Sequence, residues 1–159
     1  MAVFRRQKFV TTQRPVGPVV IAATYLPLAR WRYLLSFLRM SSRVQGQLEH
    51  SPGVAWFAVQ AEYRRKRFWT VSVWTDQPAM TVFVRTEPHA TAMKRFSIRG
   101  SPSAAFAVWE GTDPHVAWEE VYRRLGQTPP AGRVVTSPLR LPPGREPTNA
   151  NTDAPLPPK

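Results

Sequence analysis

Phe68-Trp69-Thr70-Val71-Ser72-Val73-Trp74-Thr75 follows Val54-Ala55-Trp56-Phe57-Ala58-Val59-Gln60-Ala61, with only Glu62–Arg67 between them. Both runs are rich in β-branched and aromatic residues. A short polar joint between two such runs predicts an antiparallel hairpin. Upstream, Val19–Tyr25 (VVIAATY) is a third apolar run, bounded by Pro18 and Pro27, and is expected to be a buried strand. Between it and the hairpin, Trp31, Leu34, Leu35, Leu38, Val44 and Leu48 recur at helical spacing, with Arg32, Arg39 and Arg43 among them. Ser51-Pro52-Gly53 stops that helix. After the hairpin, Asp76 is placed to cap a helix with Pro78 in its first turn. Ala79, Met80, Phe83 and Val84 give that helix its apolar face. Pro88 interrupts the pattern, which resumes at Ala92, Met93 and Phe96. Ser103–Trp109 is a fourth strand, and Asp113-Pro114 opens a last helix using Val116, Ala117, Val121 and Leu125.

The order is β-α-β-β-α-β-α. Its first six elements are the ferredoxin-like α+β unit, an antiparallel sheet with helices on one face. The flanks differ in composition from this core. Of the 17 prolines in 159 residues, nine lie after Leu125, and no aromatic residue does. Residues 126–159 are therefore expected to be a disordered Pro-rich tail. Residues 1–18 carry Arg5, Arg6, Lys8 and Arg14 and no acid, and are expected to be a flexible basic N-terminus. They lack the apolar stretch of a secretory signal, so a cytoplasmic location is expected. This leaves 19–125 as the folded domain.

The net charge is +12, from 22 Lys and Arg against 10 Asp and Glu. Half of it falls outside 19–125, so the charge is diffuse. The densest run, Arg64-Arg65-Lys66-Arg67, falls in the hairpin turn and is expected to be solvated. Nucleic acid is not an expected partner. No apolar run is long enough to span a membrane. Cysteine is absent, which excludes disulfides, thiolate metal sites and a catalytic thiol. The three histidines are too scattered to predict a metal site. No Gly-rich phosphate loop or serine-hydrolase elbow is present.

Strand alternation sorts the side chains into faces. Trp69, Val71 and Val73 share one face of their strand; Phe68, Thr70, Ser72 and Trp74 share the other. Val54, Trp56 and Ala58 oppose Ala55, Phe57 and Val59. Both faces are largely apolar, and two helices cover only one. The other is expected to meet a second sheet, in a symmetric homodimer packed face to face.

These residues resemble the dimeric α/β-barrel superfamily, which includes the antibiotic-biosynthesis monooxygenases. Phe68–Asp76 followed by Ala79-Met80 and Phe83 is similar to that superfamily's segment of strand, Trp, acidic cap and helix. His89 followed by Met93 is similar to the S-x-x-H-x-x-x-M stretch of an uncharacterised bacterial branch. That branch also shows the Trp31-Arg32-Tyr33-Leu34 helix start and the Ser51-Pro52-Gly53 turn. The resemblance covers roughly Val19–Glu110. It implies a dimeric barrel and a monooxygenase-like protein that binds or oxidises a small apolar aromatic or polyenic molecule. Heme-degrading members carry a Trp and a His in the second helix. Alignment on Trp74 and Asp76 puts Phe83 and Met93 there, so no cofactor is expected and heme is only a minor option.

His89 is the candidate catalytic base, because an imidazole at the rim of an apolar pocket can take a proton from a bound ligand. Trp56, Phe68, Thr70, Ser72 and Trp74 are the candidate substrate-binding residues. Hydroxyls among aromatics suit a flat apolar molecule with a few oxygens. This more polar strand face is expected inside the barrel, with the Trp69, Val71 and Val73 set against the helices. The alternative is a non-catalytic ligand-binding or structural dimer.

Overall fold

The structure is a computed structural model that describes residues 2–11, 15–99 and 101–136. Its strands are β1 (Ala2–Phe9), β2 (Val19–Pro27), β3 (Val54–Glu62), β4 (Arg67–Trp74), β5 (Ala105–Gly111) and β6 (Arg133–Thr136). Its helices are α1 (Leu34–His50), α2 (Gln77–Arg85), α3 (His89–Arg99) and α4 (Trp118–Arg124). One six-stranded sheet runs in the order β5-β2-β4-β3-β1-β6. Its four strands β5-β2-β4-β3 pair antiparallel, and with α1–α3 they make the ferredoxin-like α+β unit.

Local signals in the sequence set the element ends. Asp76 Oδ1 accepts the Ala79 N–H at 2.7 Å, which satisfies one of the donors left open at the start of α2. Pro88 then separates α2 from α3, because it has no N–H to continue the ladder. Gly53 closes the α1–β3 turn at φ +82°, and a Cβ there would stand 2.5 Å from the Ala79 Cβ. Only glycine fits that approach.

β3 carries a bulge. Val54 pairs with Trp74, but Trp56 pairs with Val73, so Ala55 is an extra residue. The bulge turns Val54 toward α1–α3, while Trp56 and Ala58 stay on the opposite face.

The two faces are the reverse of expectation. Val20, Ala22, Phe57, Phe68 and Trp74 face α1–α3 with Leu48, Met80, Phe83, Phe37 and Phe96. Trp69, Val71 and Val73 lie on the other face, where α4 covers them with Val121, Tyr122 and Leu125. Trp69 and Val73 are fully buried within the single chain. The Trp69 face, expected to lie under the two helices, is instead the one away from α1–α3, and α4 of the same chain covers its centre, while Ala105, Ala107 and Trp109 of β5 stay partly exposed. A polar clamp holds α4 there: Arg5 Nε and Nη2 donate to Gln60 Oε1 at 3.0 and 2.8 Å, and Gln60 Nε2 meets the Tyr122 hydroxyl at 2.7 Å. The Arg5 guanidinium also lies 4.7 Å from the Trp118 ring centroid.

The flanks join the sheet as well. In place of a flexible basic arm, residues 2–9 form β1, antiparallel to β3. Its alternation hides behind charge. Val3 is wholly buried and Phe9 packs against Trp56, while Lys8 pairs with Glu49 of α1 at 2.6 Å. Residues 133–136 form β6, parallel to β1. The rest of the expected tail, 137–159, lies outside the described residues.

Candidate functional site

A cavity of about 120 Å³ lies between the sheet and α1–α3. β2 and β4 make its floor, with Ala22 and Thr24 beside Thr70, Ser72 and Trp74. Phe37, Met40 and Val44 of α1 form one wall; Phe83, His89, Ala92 and Phe96 form the other. Met93 and Phe106 also line it but are exposed, so they mark where it meets solvent.

The lining is apolar except for the floor hydroxyls and His89. Thr24 Oγ1 and Thr70 Oγ1, opposite each other in the β2–β4 pairing, are hydrogen-bonded together. The pair uses one O–H internally and keeps a second. Ser72 Oγ accepts the Trp74 Nε1–H at 2.9 Å, so Ser72 has its own O–H to offer. Trp74 packs tilted against Phe83 at 5.1 Å, and Phe83 against His89 at 4.6 Å, a continuous aromatic line from floor to wall.

His89 opens α3, and two hydrogen bonds fix it. Its Nδ1 lies 3.1 Å from the Val84 carbonyl, and its backbone N–H donates to Gln47 Oε1 at 3.0 Å. Gln47 Nε2 in turn donates to the carbonyls of Phe83 and Thr86, both at 3.2 Å. Gln47 therefore staples the α2–α3 turn to α1. A carbonyl only accepts, so Nδ1 must carry the proton and Nε2 is the basic nitrogen of the neutral ring. Burial lowers the His89 pKa below its usual range, and the Val84 hydrogen bond offsets part of that shift. A neutral imidazole with a defined tautomer is equipped to accept a proton.

His89, Thr70, Ser72 and Trp74 are therefore gathered around one cavity, which lies between sheet and helices instead of inside a barrel formed by two sheets. Phe68 shares their face but is packed against Phe37 at 4.4 Å and does not line the cavity. Trp56 is on the opposite face, where its Nε1–H donates to the Pro114 carbonyl at 2.8 Å. The pairing register explains this: Trp56 sits opposite Val73, and Phe57 opposite Ser72. Thr24, Gln47 and Phe106 are additions that the sequence reading missed. Thr24 had a signal, as the one aliphatic hydroxyl in the apolar run Val19–Tyr25; Gln47 had none. Phe83 and Met93, aligned with the heme-degrading pair, line the cavity as apolar groups. Among the described residues no group of three His, Cys, Asp or Glu is placed to hold a metal.

No protein-family model matches the chain, and no curated protein does. Solved structures do. A protein of Nitrosomonas europaea assigned as an antibiotic biosynthesis monooxygenase superposes with a TM-score of 0.53 at 12% identity, over 60% of this chain and 91% of its own. Another antibiotic biosynthesis monooxygenase gives 0.52 at 8% identity, over 58% and 98%. A conserved protein of Methanosarcina mazei gives 0.51 at 9%, over 60% and 93%. The fold is that of the antibiotic biosynthesis monooxygenase-like proteins. At such identities the likeness defines the fold and leaves the reaction to the site.

Proposed function

We propose that the chain binds a small apolar aromatic or polyenic molecule in this cavity and oxidises it with dioxygen, with no metal or organic cofactor. The observation that carries this reading is His89, held at Nδ1 by the Val84 carbonyl, lining one largely apolar cavity together with the floor hydroxyls. A cavity of about 150 Å³ encloses a benzene; the space here, about 120 Å³ and open at one end, approaches the size of one ring. The remainder of a longer ligand extends past Met93 and Phe106.

His89 Nε2 takes the acidic proton of an enolisable or phenolic ligand. The Thr24–Thr70 pair and Ser72 donate to its oxygen as negative charge develops there. The electron-rich anion then reduces dioxygen directly. For a CH2 carbon that becomes C=O, one oxygen atom enters the product and the other leaves as water. The substrate supplies all the electrons, so no separate reductant is required. The protein contributes position, a base and exclusion of water.

Oxygen uptake with a panel of one- and two-ring phenols and enolisable ketones tests the reading. A substrate that the wild type turns over is expected to lose about a hundredfold in kcat/KM with His89→Ala, without loss of the fold by circular dichroism. Unchanged turnover in that variant would remove His89 from the chemistry. Ligand binding with no oxygen uptake across the panel would support the non-catalytic alternative.

A further inference from the structure

At the Pro27 end of the sheet, two loops from separate parts of the chain make one surface. The first leads from β2 through Arg30, Trp31 and Arg32 into α1. The second is the turn Tyr63–Arg65 followed by Lys66. The Leu28 N–H donates to the Lys66 carbonyl at 2.9 Å, and Lys66 Nζ reaches the Ala29 carbonyl at 3.5 Å. Lys66 Nζ also stands 5.5 Å from the centre of the Trp31 ring. Trp31 is 55% exposed, and Leu35, one helical turn further on, is 61% exposed. Arg30, Arg32 and Arg64 are exposed around them. Across residues 27–39 and 60–68 the one acid is Glu62, which is wholly buried and bound by Arg67. The surface therefore presents charge of one sign around two large exposed apolar side chains.

We infer that this surface docks the protein on an anionic lipid bilayer. An exposed Trp and Leu rimmed by cations is the composition of an interfacial anchor. Trp31 and Leu35 enter the boundary between headgroups and acyl chains, and Arg30, Arg32, Arg64 and Lys66 meet the headgroup phosphates. A single strand of nucleic acid would also meet the cations, but it gains by stacking bases on open ring faces. Here Lys66 lies against Trp31, Arg32 lies 4.9 Å from the Tyr33 centroid, and Phe4 packs with Tyr63 at 5.5 Å. Leu35 offers nothing for a base to stack on. The contact is peripheral: among the described residues no helix is long and apolar enough to cross a membrane.

Co-sedimentation of the full chain with lipid vesicles tests this. The wild type is expected to bind vesicles of phosphatidylglycerol mixed with phosphatidylcholine, to leave phosphatidylcholine alone in suspension, and to dissociate as salt is raised. The triple reversal R30E/R64E/K66E is expected to lower partitioning at least about a hundredfold. W31S/L35S is expected to lower it about tenfold, with Tm unchanged because both side chains are exposed. Absence of binding to the mixed vesicles overturns the inference, as does equal binding by either variant. So does a single-stranded oligonucleotide that binds more tightly than the mixed vesicles do.

Discussion

On β4, Trp69, Val71 and Val73 point to α4, while Thr70, Ser72 and Trp74 point to α1–α3. The first set is large and branched, and the seven-residue helix α4 is enough to seal it. The second set alternates small hydroxyls with an indole, and three helices cover it without filling it. The same alternation of one strand thus builds a closed core on one side and a cavity on the other. Cover is not what separates them. Side-chain volume along the floor is: Ala22, Thr24, Thr70 and Ser72 are small, and they line the open space.

The largest test of this contrast is Val121→Asp. Val121 is fully buried against the sheet. An unpaired carboxylate there is expected to cost about 3 kcal/mol or more. It should also free α4 and expose the Trp69 face. Urea unfolding reads the first effect and native mass spectrometry the self-association that follows. A variant with the stability and oligomeric state of the wild type would show that α4 is not what seals this face.

A sharper test uses two neighbours on β2. Ala22 lines the cavity, and Ala23 is wholly buried on the α4 face. Ala23→Leu overpacks a filled core and is expected to cost about 2–3 kcal/mol. Ala22→Leu grows into open space, so it should change stability by less than about 1 kcal/mol while abolishing turnover or ligand binding. Equal costs for the two substitutions would mean that the faces are packed alike.

The smallest expected effect is the pH response of His89. Its folded pKa lies below its unfolded one, so the unfolded chain binds the extra proton first. The contribution is fully present above the ordinary imidazole pKa of about 6.5 and is lost as pH falls toward the folded value. Turnover should follow the same direction, rising with pH through the folded pKa and then holding level. His89→Gln should flatten the acid limb of Tm against pH. An acid limb unchanged in that variant would assign it to other groups.

Much of the unit 19–125 was legible in the sequence. The hairpin, the Asp76 cap, the Gly53 stop and the Pro88 break each depend on neighbours a few residues away. Strand alternation also groups Thr70, Ser72 and Trp74 on one face, and the structure places them with His89 along one cavity. Trp56 was misplaced because alternation along one strand does not say which strand residue it pairs with. The bulge at Ala55 then breaks the alternation itself. β1 was hidden because its sequence, AVFRRQKF, becomes a strand only when β3 offers an edge and when Glu49 and Gln60 take its cations.

By itself, the sequence determined the kind and order of the elements from β2 to α4, because periodicity, caps and breakers act locally. The tertiary structure alone decided that α4 folds beneath the sheet, that the hydroxyl-bearing face meets the helices, and that Gln47 holds the turn before His89. Those outcomes depend on strand register, on the side from which each helix crosses, and on contacts between residues dozens of positions apart. No local pattern in the chain encodes such distances.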